Sequence, residues 1–239
     1  MFPVVCSPLN PPNNSRTLPR PATNNVYFTC TVIFFDITDY AEYALMTNSP
    51  TEDLHLTKFE VAERQLTQAI RLFFLKQDPV SIHTLAEAAS QVLYDIGGEH
   101  GVKSIMRDNA SIRPEKLKEW LVALHKSRNF FKHADRDKLA THEFKEIFND
   151  MSLLDAVNMY VTIKKRWSPE SAMFFVWFGL NYPQLLAEGS PHIEILNNIR
   201  EGPMPNDKSY FFELIEELRS GGTVMPHVVT YLGLNANED

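Results

Sequence analysis

The stretch TKFEVAERQLTQAIRLFFLKQDPVSIHTLAEAASQVLYDIGG, residues 57–98, decides the fold class because two amphipathic helices can be read along it. In its first half, apolar residues recur at the three- and four-residue intervals of one helix face: Phe59, Ala62, Leu66, Ala69, Ile70 and Phe73. Asp78 and Pro79 then provide an N-cap and a first-turn proline. The second half repeats the pattern up to Gly97 and Gly98, with Ile82, Leu85, Ala89, Val92, Leu93 and Ile96 on one face. We therefore predict two successive helices.

Helical periodicity continues along the rest of the chain. Further helices are predicted to begin at Pro114 and to cover about 143–165, 168–186 and 209–219. The helix over 143–165 is expected to bury the face that carries Ile147, Met151, Leu154 and Val161. No segment alternates as a half-buried strand does.

These patterns predict an all-α fold, an up-and-down helical bundle of four to five core helices with a short C-terminal helical extension. The bundle is expected over residues 51–189 and the extension, with one helix, over 190–239. Residues 1–50 are expected to be a disordered or non-native N-terminal extension. Residues 1–25 hold six of the fifteen prolines, and composition shifts at Met46, which could be the natural start.

Composition narrows the possible functions. The 239 residues carry a net charge of −7, so a nucleic acid would have to bind at a local basic patch. Only Cys6 and Cys30 are present, which excludes a disulfide scaffold or a cysteine-ligated zinc site from the body of the protein. No run reaches the roughly 18 apolar residues of a membrane span. With no convincing signal peptide, the expectation is a cytoplasmic protein without membrane association, cofactor or metal.

The segment SRNFFKHADRD, residues 127–137, carries the candidate chemistry. On a helical wheel, Arg128 falls within the same arc as the apolar residues Leu117, Leu121, Leu124 and Phe131. A guanidinium in that position is costly unless it is paired or faces a pocket or an interface. Arg128 could therefore extend to solvent at the helix end, pair with a carboxylate, or bind a phosphate.

A basic patch surrounds Arg128. Its cationic and histidine side chains are His125, Lys126, Arg128, Lys132, His133, Arg136 and Lys138. It could be a solvated helix end, since cations favour the C-terminal turn, or a phosphate site. His133 adds a group suited to proton transfer at neutral pH. Five residues separate His133 from Arg128, about 140° on a helix, so the two converge only if the helix unwinds near Lys132 or two chains meet.

An all-α bundle with Arg128, Asn129 and His133 at a helix end resembles the HEPN superfamily (higher eukaryotes and prokaryotes nucleotide-binding). The resemblance covers about residues 57–165. Active members of the family are metal-independent endoribonucleases with an Arg, four to six residues, then His. Arg136, Asp137 and His142 fit the same pattern, but we prefer the first match because its arginine lies on the apolar helix face.

The resemblance implies a homodimer in which both motifs line one cleft. His133 would act as general base or acid, Arg128 would stabilise charge on the phosphorus, and Asn129 would position the phosphate or the histidine. Lys126, Lys132, Arg136 and Lys138 would bind RNA. It also implies a toxin or phage-defence effector held in check by a neutralising protein partner.

Two other functions remain open from the sequence. The chain could be a non-catalytic HEPN module that binds nucleotide or a protein partner, or a structural helical protein in which Arg128 pairs internally. His83, early in the second helix, is expected to be a polar or capping position rather than a ligand.

Overall fold

The computed structural model describes residues 53–109, 112–135, 137–185, 196 and 207–222. The chain divides into two compact units, Met1–Leu54 and His55–Asp239, and almost all described residues belong to the second. The extension predicted for residues 1–50, the site residue Arg136, and most of 190–239 lie outside the described residues. The described part of the chain contains no strand, and none of its helices is both long and apolar enough to cross a membrane.

The helices are α1 (Lys58–Phe74), α2 (Pro79–Gly97), α3 (Leu117–Leu124), α4 (Lys126–Lys132), α5 (Ile147–Lys164), α6 (Pro169–Asn181) and α7 (Lys208–Arg219). Short 3-10 turns lie at Gly98–His100, Pro114–Lys116 and Pro183–Leu185. The predicted all-α bundle is confirmed. The predicted ends differ most at α5, which starts at Ile147 rather than near residue 143, and at α6, which ends at Asn181 rather than near residue 186.

Local sequence signals start three of these helices. The Thr57 side chain accepts a hydrogen bond from the Glu60 backbone N–H, and Glu60 accepts one in return, which forms a capping box before α1. Asp78 accepts a hydrogen bond from the Ser81 backbone N–H (2.7 Å) ahead of Pro79. A second capping box at Ser168 precedes α6.

Side-chain pairs give the helix directions. Tyr160, late in α5, donates to Glu63, early in α1 (2.6 Å), so these two helices are antiparallel. Helix α7 is also antiparallel to α1, because Lys76, just after α1, pairs with Asp207, just before α7 (2.8 Å), while the earlier Arg71 pairs with the later Glu216 (2.6 Å). Helices α1, α2, α5, α6 and α7 enclose the core.

Helix α7 falls in the segment predicted as an extension, and its apolar face is part of the bundle core. Phe211 and Ile215 are fully buried. The Phe211 ring stacks on Phe74 of α1 with ring centroids 5.6 Å apart. Around them lies an aromatic cluster from α1 and α6 that includes Phe73, Phe174 and Trp177.

We predict that Phe211→Ala destabilises the protein by about 3–5 kcal/mol, the usual cost of emptying a buried phenylalanine site. Urea unfolding would measure the loss. The adjacent Phe212 is only half-buried, so Phe212→Ala is the matched control and should cost clearly less. Equal, small losses in both variants would show that α7 is not part of the core.

A ladder of buried polar contacts joins α2 to α5. We call it the polar ladder, and its three rungs are His83–Asn149, Glu87–Ser152 and Ser90–Asp155, at 3.2, 2.7 and 3.2 Å. The numbers rise together along both helices, so α2 and α5 run parallel. All six residues are buried.

Asp155 is the most connected residue of the ladder. Its carboxylate accepts hydrogen bonds from Ser90, from Ser104 (2.9 Å), from the Met106 backbone N–H (3.3 Å) and from Arg107 Nη1 (3.2 Å). Burial raises the pKa of Asp155, and the bonds from Ser104 and the charge of Arg107 oppose that shift. Asp155 thus ties the loop after α2 to α5.

The ladder corrects the predicted orientation of α5. Ile147, expected to be buried, is 43% exposed, and Met151, Leu154 and Val161 are only partly buried. The buried face instead carries Asn149, Ser152 and Asp155 together with Leu153, Ala156 and Val157. The apolar stripe was a poor guide because buried polar residues on α2 supply partners for the polar side of α5.

We predict that Asp155→Ala lowers the free energy of unfolding by about 3–5 kcal/mol, because it leaves the Arg107 charge buried without its partner. Arg107 is only 8% exposed. The control is Glu115→Ala, which removes the exposed pair Arg113–Glu115 (3.7 Å) and should change stability by less than about 1 kcal/mol. Equal losses in both variants on urea unfolding would contradict this role for Asp155.

Candidate functional site

The chain breaks its helical path at His125, just before the candidate motif. His125 ends α3 and precedes α4, with φ −90° and ψ 4°. The wheel position of Arg128 assumes one continuous helix over residues 117–131, and the break at His125 shows that this assumption is wrong. Helix α4 ends at Lys132, and His133 is extended (φ −128°, ψ 108°). The helix thus ends at the place where it would have to unwind for Arg128 and His133 to converge.

Arg128 points from α4 onto α2 and is half-buried. Its Nη1 donates to Oε1 of Gln91 at 2.7 Å. Burial is the main cause that lowers the Arg128 pKa; the charge of Glu87 raises it and that of Arg107 lowers it. The sequence left open that Arg128 extends to solvent, pairs with a carboxylate or binds a phosphate, and the observed bond to Gln91 is none of these. The side chain turns inward, but its hydrogen-bond partner is a neutral amide.

The other predicted site residues lie at the surface. Asn129, His133, Lys126, Lys132 and Lys138 are all exposed, and Arg136 is not among the described residues. Within the described part of one chain, no hydrogen bond or ion pair joins Arg128 to His133. The structure therefore brings Arg128 to α2 and leaves His133 at the outer end of α4.

Arg128 lies instead in a region that sequence reasoning did not identify. We call it the α2–α4 seam and define it by His83, Glu87 and Gln91 of α2 with His125 and Arg128. His83 and Glu87 are 2% and 4% exposed. Within the described residues, His83 Nε2, Glu87 Oε2 and His125 Nε2 are buried and have no hydrogen-bond partner. Buried polar atoms without a hydrogen-bond partner are uncommon in folded proteins, so the seam is a candidate functional region.

Of the two expected roles, His83 does not cap α2, whose N-cap is Asp78, and it is a buried polar position with Nδ1 3.2 Å from Asn149 Oδ1. Its ring packs against Phe131 and Phe144, with centroids 5.7 and 4.9 Å away. A signal was present in the sequence, because His83, Glu87 and Gln91 are four residues apart and so share one face of α2. The sequence pattern did not reveal this polar face, because the apolar face of α2 matches helical periodicity better.

A third histidine, His142, packs beside the seam from the loop that follows α4. His142 Nε2 lies 2.8 Å from Ser127 Oγ, and its ring lies 5.0 Å from that of Phe130. His142 belongs to the second motif match, the one we did not prefer. The described residues contain no group of three or more His, Cys, Asp or Glu side chains placed to hold a metal ion.

No family model, no curated protein and no solved structure matches this chain.

Burial sets the protonation of the seam histidines. It lowers the pKa of His83, with the charge of Glu87 acting in the opposite direction. It also lowers the pKa of His125, and the charge of Arg128 adds to this effect. A histidine with a lowered pKa takes up its proton less readily in the folded state than in the unfolded state.

We therefore predict that the free energy of unfolding falls as pH drops through the unfolded histidine pKa of about 6.5. Urea unfolding at pH values of about 8 and about 5.5 would measure the fall. In His83→Gln the difference between the two pH values should shrink. The exposed His133 provides the control, since His133→Gln should keep the wild-type difference. An unchanged difference in His83→Gln would show that His83 is not buried in its neutral form.

Proposed function

We propose that this chain is a HEPN-like, metal-independent endoribonuclease whose active site forms at a homodimer cleft. The observation that carries the proposal is the state of Arg128. This guanidinium is half-buried next to an exposed helix end, and it donates a hydrogen bond to the side-chain oxygen of Gln91. Arginine has five N–H donors, so one such bond leaves most of its donors for phosphate oxygens.

The exposed residues around α4 support an RNA partner. Lys126, Lys132 and Lys138 are exposed within the basic patch of an otherwise acidic protein. Phosphate contacts from such side chains would hold the backbone of an RNA strand. His133, exposed at the end of α4, is then free to reach a bound nucleotide.

Helix α3 supports the homodimer. It carries Leu117, Trp120, Leu121, Val122 and Leu124, yet none of its residues is fully buried, and Val122 is 67% exposed. An apolar helix that is only partly covered is typical of an interaction surface. A second copy that covers α3 would lie directly beside the motif on α4.

In the proposed reaction, His133 takes the proton of a ribose 2′-hydroxyl while the 2′-oxygen attacks the adjacent phosphorus. The new P–O2′ bond forms, the P–O5′ bond breaks, and solvent protonates the leaving 5′-oxygen. A 2′,3′-cyclic phosphate results. Arg128 stabilises the extra negative charge on the phosphoryl oxygens, and Asn129 orients the phosphate or the histidine.

A non-catalytic HEPN module that binds nucleotide or a protein partner is the second candidate. The observation in its favour is that Arg128 and His133 have no direct contact within the described part of one chain. A dimer that fails to join the two motifs would leave a basic binding surface without a reaction.

We predict that Arg128→Ala and His133→Ala each lower the rate of RNA cleavage by about 10² to 10⁴-fold in the presence of a chelator. The assay follows a labelled RNA and tests the products for cyclic phosphate ends. Arg113→Ala is the control, because this arginine is exposed and lies outside the basic patch. Wild-type rates in either motif variant would refute the assignment.

Mixing the two inactive variants tests the dimer. If each site takes Arg128 from one chain and His133 from the other, a mixed dimer keeps one intact site, and activity returns to about a quarter of the wild-type value. A site within one chain would give no recovery.

Expression of the wild type and of His133→Ala in cells, followed by growth, would test the proposed role as a toxin or phage-defence effector.

A further inference from the structure

Glu87 is a buried carboxylate in which, within the described part of the chain, only one of the two oxygens accepts a hydrogen bond. It is 4% exposed, and its Oε1 accepts a hydrogen bond from Ser152 Oγ at 2.7 Å. Its Oε2 is buried and has no hydrogen-bond partner in the described part of the chain. A carboxylate in that position is costly unless a nearby positive charge compensates it.

Arg128 brings a positive charge to the same face of α2, and it interacts with Glu87 by charge without a direct ion pair. Gln91 lies one helical turn after Glu87 on the same face of α2, and Gln91 Oε1 accepts the hydrogen bond from Arg128. The charges of Glu87 and Asp95 both raise the pKa of Arg128, and the effect of Glu87 is the larger. Glu87 and Gln91 therefore present a charge and an oriented acceptor to the same guanidinium.

We propose that Glu87 is a positioning residue for Arg128. Its negative charge stabilises the half-buried guanidinium in the α2–α4 seam, and Gln91 sets the direction in which it points. This inference rests on the proposed function in one respect: it makes Arg128 the group that binds the scissile phosphate. Glu87 itself is enclosed between α2 and α5 and does not reach a substrate, so it acts only through Arg128.

Ser152 links this unit to the core. The Glu87 carboxylate is the acceptor in the middle rung of the polar ladder. The position of Arg128 is therefore set by the parallel packing of α2 on α5 as well as by α4. This arrangement gives the guanidinium a rigid support, which positioning of a reacting group requires.

The first experiment separates kcat from KM for RNA cleavage in Glu87→Gln, Glu87→Asp and the control Glu63→Gln. Glu63 is also a partly buried carboxylate, but its partners are Tyr160 and Lys164 at the far end of α5. Glu87→Gln should lower kcat roughly 10- to 100-fold, as misplacement of a reacting group does. Glu87→Asp, which keeps the charge, should recover part of that loss, and Glu63→Gln should keep the wild-type kcat.

An unchanged kcat in Glu87→Gln would overturn the inference, and so would an equal loss in Glu63→Gln.

The second experiment does not depend on activity. It is a double-mutant cycle by urea unfolding with Glu87→Gln and Arg128→Gln, compared with Glu63→Gln and Arg128→Gln. The first pair should be coupled by about fivefold or more in the folding equilibrium constant, and the second pair should be additive.

The two experiments distinguish the two proposals. If the wild type cleaves RNA but Glu87 and Arg128 are not coupled, the role of Glu87 is refuted and the ribonuclease stands. If they are coupled but the wild type cleaves no RNA, the charge pairing is supported and the proposed function fails.

Discussion

The arrangement of this protein depends on the polar ladder between α2 and α5. Two parallel helices in an apolar bundle meet through His83–Asn149, Glu87–Ser152 and Ser90–Asp155, three pairs that are removed from water. Hydrogen bonds of this kind add little net stability, but the cost of leaving any one of them unmade is high. The ladder therefore selects one register for the two helices, because a shift of either helix would leave several buried groups without partners.

The ladder also sets the position of the candidate site. One edge of α2 packs on α5, and the adjacent edge, with Gln91, receives Arg128 from α4. Glu87 bonds to Ser152 of α5 and lies one helical turn from Gln91, so it is part of both the ladder and the seam. At the other end of the ladder, Asp155 ties down the loop that leads towards α3 through Ser104 and Arg107. The core and the seam are thus parts of one polar network.

Much of the fold could be predicted from the sequence, and the reason is local. The face from Phe59 to Phe73, the caps at Thr57, Asp78 and Ser168, and the stop at Gly97 act within a few residues of the chain. The orientation of α5 could not be predicted in this way. Its apolar face, with Ile147, was expected inside, whereas the structure buries Asn149, Ser152 and Asp155. A polar side chain is buried when its partner comes from another helix, and the position of that partner is not encoded locally.

The candidate site divides along the same line. The sequence by itself determined that a cationic, histidine-containing segment ends a helix and that Arg128 shares one face of that helix with Phe131, because both follow from the spacing of residues along α4. Only the tertiary structure decided that Arg128 meets Gln91 and Glu87, that His83 is buried, and that His133 stays exposed beyond the end of α4. These results required α2, α4 and α5 to be placed together. The spacing of residues along one helix carries no information about the helix that packs against it.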